Sequence, residues 1–440
     1  VANSGQPDCD RRQFLGGSAA VGIIGASRAL FGAWMPRLVF RDPEARTAPG
    51  GLHAAAQAGG PGDVLVCIFL RGGMDGISAV VPYGEGSRYY ALRPTLAVPE
   101  PGAASGAIDL DGRFGLHPAL APLKELYDAG LFAAVHAAGS PDPSRSHFDA
   151  MHFMELGTPG TKTTATGWIG RHLQSVAWQN NSPFRAIGMG AMAPESLRGP
   201  ISPLSIRSIA DFHFRGRENE LRRLQESLAA LYRIDAPQGA LEGQARLVFE
   251  TIDTLRKLDV GSYRPAHGAM YAADEFGLGL QQVAQLVKAQ VGLEVACLDL
   301  GGWDTHEQQG TLDGVFNALL GALARGLQAF YTDLADHMAG VTVVVMSEFG
   351  RRIAENASRG TDHGHGNVMF LLGGGVNGGQ VFSRWPGLAP EALNDGDLAI
   401  TTDYRDVLAE VVARRLRNPA LGEVFPGYNP TPLDLFRPLG

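Results

Sequence analysis

Cysteine is almost missing from this 440-residue chain, and the three present, Cys9, Cys67 and Cys297, make neither a disulfide framework nor a zinc ribbon. Cys67 and Cys297 sit in apolar runs and read as buried strand residues. Basic excess is missing too. The 37 Lys and Arg stand against 45 Asp and Glu, giving a formal charge of −8, which excludes general nucleic-acid binding. The N-terminal apolar run is short and interrupted by Arg28, so no stable membrane span is expected in the mature protein. The chain also lacks G-x-x-x-x-G-K-S/T, which excludes a P-loop. It has no G-x-S-x-G, which removes an ordinary α/β-hydrolase elbow. "GMGAMA" (188–193) matches a dinucleotide fingerprint only loosely and reads as a turn.

What is present is a composition 45% hydrophobic and 19% charged, enough for a large packed α/β core. The N-terminus carries an address. "DCDRRQFLGGSAAVGIIGAS" places Arg11-Arg12 before Phe14-Leu15 and a Gly/Ala-rich apolar run, the layout of a twin-arginine export signal. That route exports folded, often metal-loaded proteins, so the expected location is periplasmic or extracellular and the export machinery is an expected partner. A Pro/Gly/Ala linker, "ARTAPGGLHAAAQAGGPGD", follows. Residues 1–58 are thus expected to be signal and linker, and 63–440 a single α/β domain.

From there strands and helices alternate. "VLVCIFL" (64–70), "LFAAVHAA" (131–138), "LEVACLDL" (293–300), "VTVVVM" (341–346) and "VMFLLGG" (368–374) are continuous apolar runs of strand length. Between them, Leu221, Leu224, Leu228 and Leu231, then Leu241, Ala245, Val248, Ile252 and Leu255, recur at helical spacing. Further helices are expected at about 273–291 and 312–338. The order predicts a mostly parallel central sheet with helices on both faces, and a helical cover over 175–290.

The acids and histidines fall in turns, most of them just after those strands: Asp75 in "RGGMDG", Ser144, Arg145, Ser146 and His147 in "GSPDPSRSHFD", Asp304 and His306 in "GGWDTHEQQG", Glu348 in "SEFGRR", and Asp362, His363 and His365 in "GTDHGHGN". Open α/β sheets carry their ligands at the carboxyl ends of strands. In extended chain, residues i and i+2 share a side, so Asp304 with His306, and His363 with His365, can each aim two donors at one point. Mixed carboxylate and imidazole sets suit zinc, manganese or iron, whereas calcium prefers oxygen. Ser144 or Ser146 is expected to cap a helix. Trp168 and Trp303 are candidates to line a cleft, with core packing expected for at least one of them.

"LRGGMDG", "SRSHFDAMHFMELG", "GGWDTHEQQG", "MSEFGRR" and "TDHGHGN", in that order behind a twin-arginine signal, resemble the domain-of-unknown-function 1501 family of exported bacterial proteins, from about residue 64 to 416. That family is distantly similar to the alkaline phosphatase and sulfatase superfamily. The resemblance implies an alkaline-phosphatase-like fold with one or two divalent metals. It makes Ser146, then Ser144, the nucleophile at a helix N-terminus, and Asp75, His147, Asp304, His306, Glu348, Asp362, His363 and His365 the candidate ligands. Two departures stand out: Phe349 occupies the place of an expected imidazole, and Pro141 that of a sulfatase's modified cysteine. Arg145, Arg351 or Arg352 could hold anionic oxygens. The expected activity is metal-dependent hydrolysis of phosphate or sulfate esters, on a small anionic ester or a sulfated or phosphorylated glycan. The alternative is a non-catalytic exported binding or scaffold protein that keeps the fold.

Overall fold

The computed structural model describes residues 63–177, 180–209, 251, 254 and 262–438. The expected export signal with Cys9, the expected linker up to residue 62, and the named residues of the two stripes at 221–255 lie outside the described residues.

The central sheet has nine strands: β1 (Val64–Arg71), β2 (Phe132–Gly139), β3 (Ala186–Met189), β4 (Leu204–Ile206), β5 (Val295–Gly301), β6 (Val341–Met346), β7 (Asn367–Gly373), β8 (Val381–Phe382) and β9 (Thr402–Asp403). Their order is β8-β2-β7-β6-β1-β5-β3-β4, with β9 pairing β2 beyond that path. Every pairing is parallel except those of β7, which runs antiparallel to both β2 and β6.

Continuous apolar runs become central strands because both faces of such a sheet are covered. In β1, Val66, Ile68 and Leu70 enter one core cluster with α3 (Glu275–Lys288) and α4 (Gly314–Asp333). Leu65, Cys67 and Phe69 enter the other, with α1 (His147–Leu156), α2 (Trp168–Ser175) and α5 (Tyr404–Glu410). Each of those aliphatic side chains contributes roughly 1.5–3 kcal/mol on burial, so a one-residue slip of β1 would be costly. Cys67 and Cys297 are buried, free, and register partners across β1 and β5.

The 175–290 region is not purely a helical cover. It supplies β3 and β4 to the sheet edge, and "GMGAMA" enters β3 with Gly188 and Met189 before it turns. Runs of three and four residues are too short for periodicity to reveal. Trp168 and Trp303 are both wholly buried core side chains, so core packing, expected for at least one, holds for both and neither lines a cleft. Among the described residues, no helix is long and apolar enough to cross a membrane.

This topology gathers the chemistry at one edge. Parallel β1, β2, β5 and β6 all end there, and antiparallel β7 begins there. The turns holding Asp75, His147, Asp304, Glu348 and His363 therefore face one another across the carboxyl ends of the strands.

Candidate metal centre

His147 is the first residue of α1, placed by its neighbour. Ser146 is the N-cap, and its hydroxyl accepts from the Asp149 amide, while Gly157 in the left-handed region closes the helix. Asp304 and His306 lie on the turn after β5. Gly72, with φ +119°, lets the β1 turn pass against that one; a Cβ there would stand 2.6 Å from the Asp304 nitrogen. His363 is fixed by a bridge to Arg351.

One ligand atom from each of His147, Asp304 and His363 lies within 4.8 Å of the others, a group that can hold a metal ion. His306 joins them. Its Nε2 is 2.9 Å from His363 Nε2 and 3.0 Å from Asp304 Oδ1, and His363 Nε2 is 3.1 Å from the same oxygen. His147 Nε2, 3.3 Å from Asp304 Oδ1, is sealed from solvent and hydrogen-bonds nothing.

The far side of each ring tells which nitrogen holds the proton. His147 Nδ1 lies 2.7 Å from Glu348 Oε1, His306 Nδ1 3.0 Å from Asp362 Oδ1, and His363 Nδ1 2.8 Å from the Arg145 carbonyl. A carboxylate and a carbonyl only accept, so each Nδ1 donates and each neutral ring turns an Nε2 lone pair inward. Three lone pairs and a carboxylate oxygen aimed at one another repel unless a metal ion or a ring proton sits among them. Imidazoles backed by carboxylate or carbonyl partners are the usual outer arrangement of metal ligands.

The electrostatics separate the rings: the carboxylates favour a protonated His147, while burial favours a neutral His363. Burial pulls the Asp304 carboxyl upward, but the Arg351 guanidinium, 2.7 Å away, with His363 and His147, outweighs it and holds the group below the usual carboxylate range. The hydrogen bond to Glu348 raises His147. Burial lowers His363. Asp362 is lowered by its bonds from His306 and Asn356. The rings of His147 and His363 both rest on Phe349, with centroids 4.8 and 4.9 Å away, so the residue standing in the expected imidazole's place forms an apolar wall.

The other candidates sit elsewhere. Asp75 is not brought to the cluster: Arg93 takes both its oxygens at 2.5 and 3.1 Å, and Gln309 donates at 2.8 Å. Glu348 and Asp362 reach the cluster only as partners of His147 and His306. His365 turns away because the chain bends there, which breaks the i, i+2 alternation, and its Nε2 meets the carbonyls of Ser140 and Asp142. The Ser146 hydroxyl caps α1, and that of Ser144 accepts from the Ser146 amide. The Arg145 guanidinium pairs with buried Asp397, while its carbonyl meets His363. Arg93, Asn356 and Asp397 had no local signal in the sequence, since their partners are set by tertiary contacts.

Glu348→Ala is expected to weaken zinc binding by about 10–100-fold, since it frees the His147 ring to rotate and change tautomer. Competition against a chelating dye measures this; unchanged affinity would show that Glu348 does not orient the ring.

Taken together, this is an α/β protein with a histidine–carboxylate group at the carboxyl edge of a mostly parallel sheet. The chain belongs to the family described as "Protein of unknown function (DUF1501)", whose model matches residues 133–414, a span that contains all four converging donors. No curated protein matches it. Among solved structures, Ps i-CgsB in complex with k-i-k-neocarrahexaose is 13% identical, covering 81% of this chain and 72% of that one with a TM-score of 0.36. The PsFucS1 sulfatase from Pseudoalteromonas sp. is 10% identical, with coverage of 73% and 64% and a TM-score of 0.33. A protein in the alkaline phosphatase superfamily from Vibrio parahaemolyticus is 10% identical, with coverage of 71% and 60% and a TM-score of 0.31. At such scores the chemistry of those proteins does not carry over to this chain.

Proposed function

We propose that this chain is an exported metal-dependent hydrolase of phosphate or sulfate esters in which water, not serine, is the nucleophile. The observation that carries the reading is the convergence of the His147, His306 and His363 Nε2 atoms on Asp304 Oδ1. Zinc, manganese or iron(II) suits that donor set. When bound, a divalent ion supplies Lewis-acid polarisation of an ester oxygen and acidifies a water. Asp304 and His306, about half and two-fifths exposed, leave the cluster open to a substrate on one side. Phe349 excludes water from the other. Glu348, Asp362 and the Arg145 carbonyl hold the protons on the three Nδ1 atoms. Water replaces Ser146 in this reading because that hydroxyl caps α1. The proposed substrate is a small anionic ester or a sulfated or phosphorylated glycan. Export to the periplasm or beyond, through the twin-arginine machinery, is proposed on the motif at Arg11-Arg12.

The test is turnover of p-nitrophenyl phosphate and p-nitrophenyl sulfate by metal-loaded protein, with and without chelator. His306→Ala is expected to lower kcat/KM by more than the roughly 10–100-fold that loss of an orienting partner costs. A second reading, a binding or scaffold protein that keeps the fold, is favoured by the Phe349 wall and by the engagement of Ser144 and Ser146 in backbone caps. Metal-loaded, folded protein that turns over neither ester would favour it.

A further inference from the structure

We infer that this edge of the sheet holds a single metal ion, and that the guanidinium groups of Arg93 and Arg351 balance the carboxylates that a second ion would need. The inference rests on the metal reading above and sharpens it. A two-ion centre places its metals about 3.5–4 Å apart, so a second set of free donors must stand beside the first. Of the nearby residues that could form one, Asp75, Glu348 and His365 have their donor atoms engaged, and Asp362 has one of its two oxygens engaged. Asp75 is fully buried, with one oxygen on Arg93 and the other on Arg93 and Gln309. Glu348 Oε1 accepts from His147 and from the Gly72 amide, and its Oε2 faces the Ser347 hydroxyl at 3.1 Å. Asp362 Oδ1 accepts from His306 and Asn356. His365 points its Nε2 at backbone carbonyls.

Charge leads to the same count. Arg351 is buried and bonds to the carbonyls of Gly72, Gly73, Trp303 and Thr361 as well as to Asp304. A guanidinium does not lose its proton in a protein, so its positive charge is permanent beside Asp304. Asp304, Glu348 and Asp362 contribute three negative charges, and Arg351 one positive, leaving two negative charges around the cluster. One divalent ion neutralises them. Asp75 is neutralised apart from this group by Arg93. A second divalent ion would leave two uncompensated positive charges beside the permanent charge of the buried Arg351 guanidinium. The site therefore takes one borderline divalent cation through three imidazoles and one carboxylate, with Arg351 fixed in the place of a second charge.

The experiment combines elemental analysis of protein purified without chelator with the spin-resonance spectrum of Mn2+ added to chelator-treated protein. One equivalent of metal is expected in the parent and in Asp75→Asn, none in His147→Ala/His363→Ala, and an uncoupled six-line Mn2+ spectrum. Two equivalents, loss of half the metal in Asp75→Asn, or a spin-coupled Mn2+ pair would overturn the single-ion inference and leave the metal reading standing. A folded parent that binds no metal would overturn both. The Mn2+ spectrum needs no variant, so the inference stays testable if the double variant fails to fold.

Discussion

Arg93→Ala is expected to destabilise the protein by about 3–5 kcal/mol, the cost of leaving a buried charge without its partner. Arg93 and Asp75 are both fully buried, and the guanidinium also donates to the Ser78 hydroxyl at 2.7 Å and to the carbonyls of Ile353 and Arg352 at 2.7 and 2.9 Å. Alanine would leave Asp75 with the neutral donors Gln309 and Ser78 and no cation, and leave two buried carbonyls short of a donor. The β1 turn would also lose its tie to the segment that follows Arg351. In urea the transition midpoint should fall with little change in slope. Replacing both partners with apolar residues, Arg93→Met with Asp75→Leu, should recover part of the loss, because the desolvation cost goes with the charges. A single-variant loss below about 1 kcal/mol would mean that the pair does not hold the turn.

Stability should also fall steeply as the pH drops from 6.5 towards 4. Three buried histidines outside the candidate metal centre, His117, His136 and His172, are each pushed down by burial to about 4 from 6.5. Burial outweighs the hydrogen bonds to the Thr311 and Val80 carbonyls, which favour the charged ring. His117 Nε2 donates to the Thr311 carbonyl while its Nδ1 accepts from the Ala119 amide, and His136 does the same with the Val80 carbonyl and the Ala137 amide. His172 Nδ1 accepts from the Asn418 side chain. A second ring proton would break an accepted bond. Between pH 4 and 6.5 the unfolded chain binds these protons and the folded one does not, so stability rises with pH across that window. Each ring is worth roughly 3 kcal/mol at the acid end, and three of them rival a typical total of about 5–15 kcal/mol. Asp75 acts in another window. Burial raises its carboxyl, Arg93 more than offsets this, and the net lowering gives stability that is present above 3.8 and lost as the pH falls below it. Urea midpoints between pH 7 and 4.5 measure the slope, and His136→Gln should flatten it. A flat profile in the parent would show that the rings protonate without unfolding.

Five of the strands were legible from composition alone, within one or two residues at each end. Strand β1 reads as seven apolar residues in succession, and "VTVVVM" is β6 from first residue to last. The α1 start was legible in the Ser residues before a helical stretch. The strands β3 and β4 were not, because three or four residues carry no period and their pairing is decided by β5 beside them. The antiparallel run of β7 has no local mark either. Yet that direction brings the start of β7, with His363 just before it, to the edge where the parallel strands end.

At the centre, residue type and position after a strand marked the correct turns, since acids and imidazoles do not collect beside buried apolar strands without some partner. Which of them converge was another matter. His363 and His365 are two residues apart and look equivalent, but one meets His306 across 57 residues and the other meets Ser140 across 225. Asp75 and Asp304 both follow a strand, and Arg93 claims the first while three imidazoles surround the second. The local pattern of apolar and polar residues was enough for the sheet, its layers and the turns that carry the chemistry, because periodicity and turn preference act over a few residues. Ligand, orienting partner and structural ion pair were assigned only by the folded chain, because those roles depend on which lone pair meets which proton across hundreds of residues.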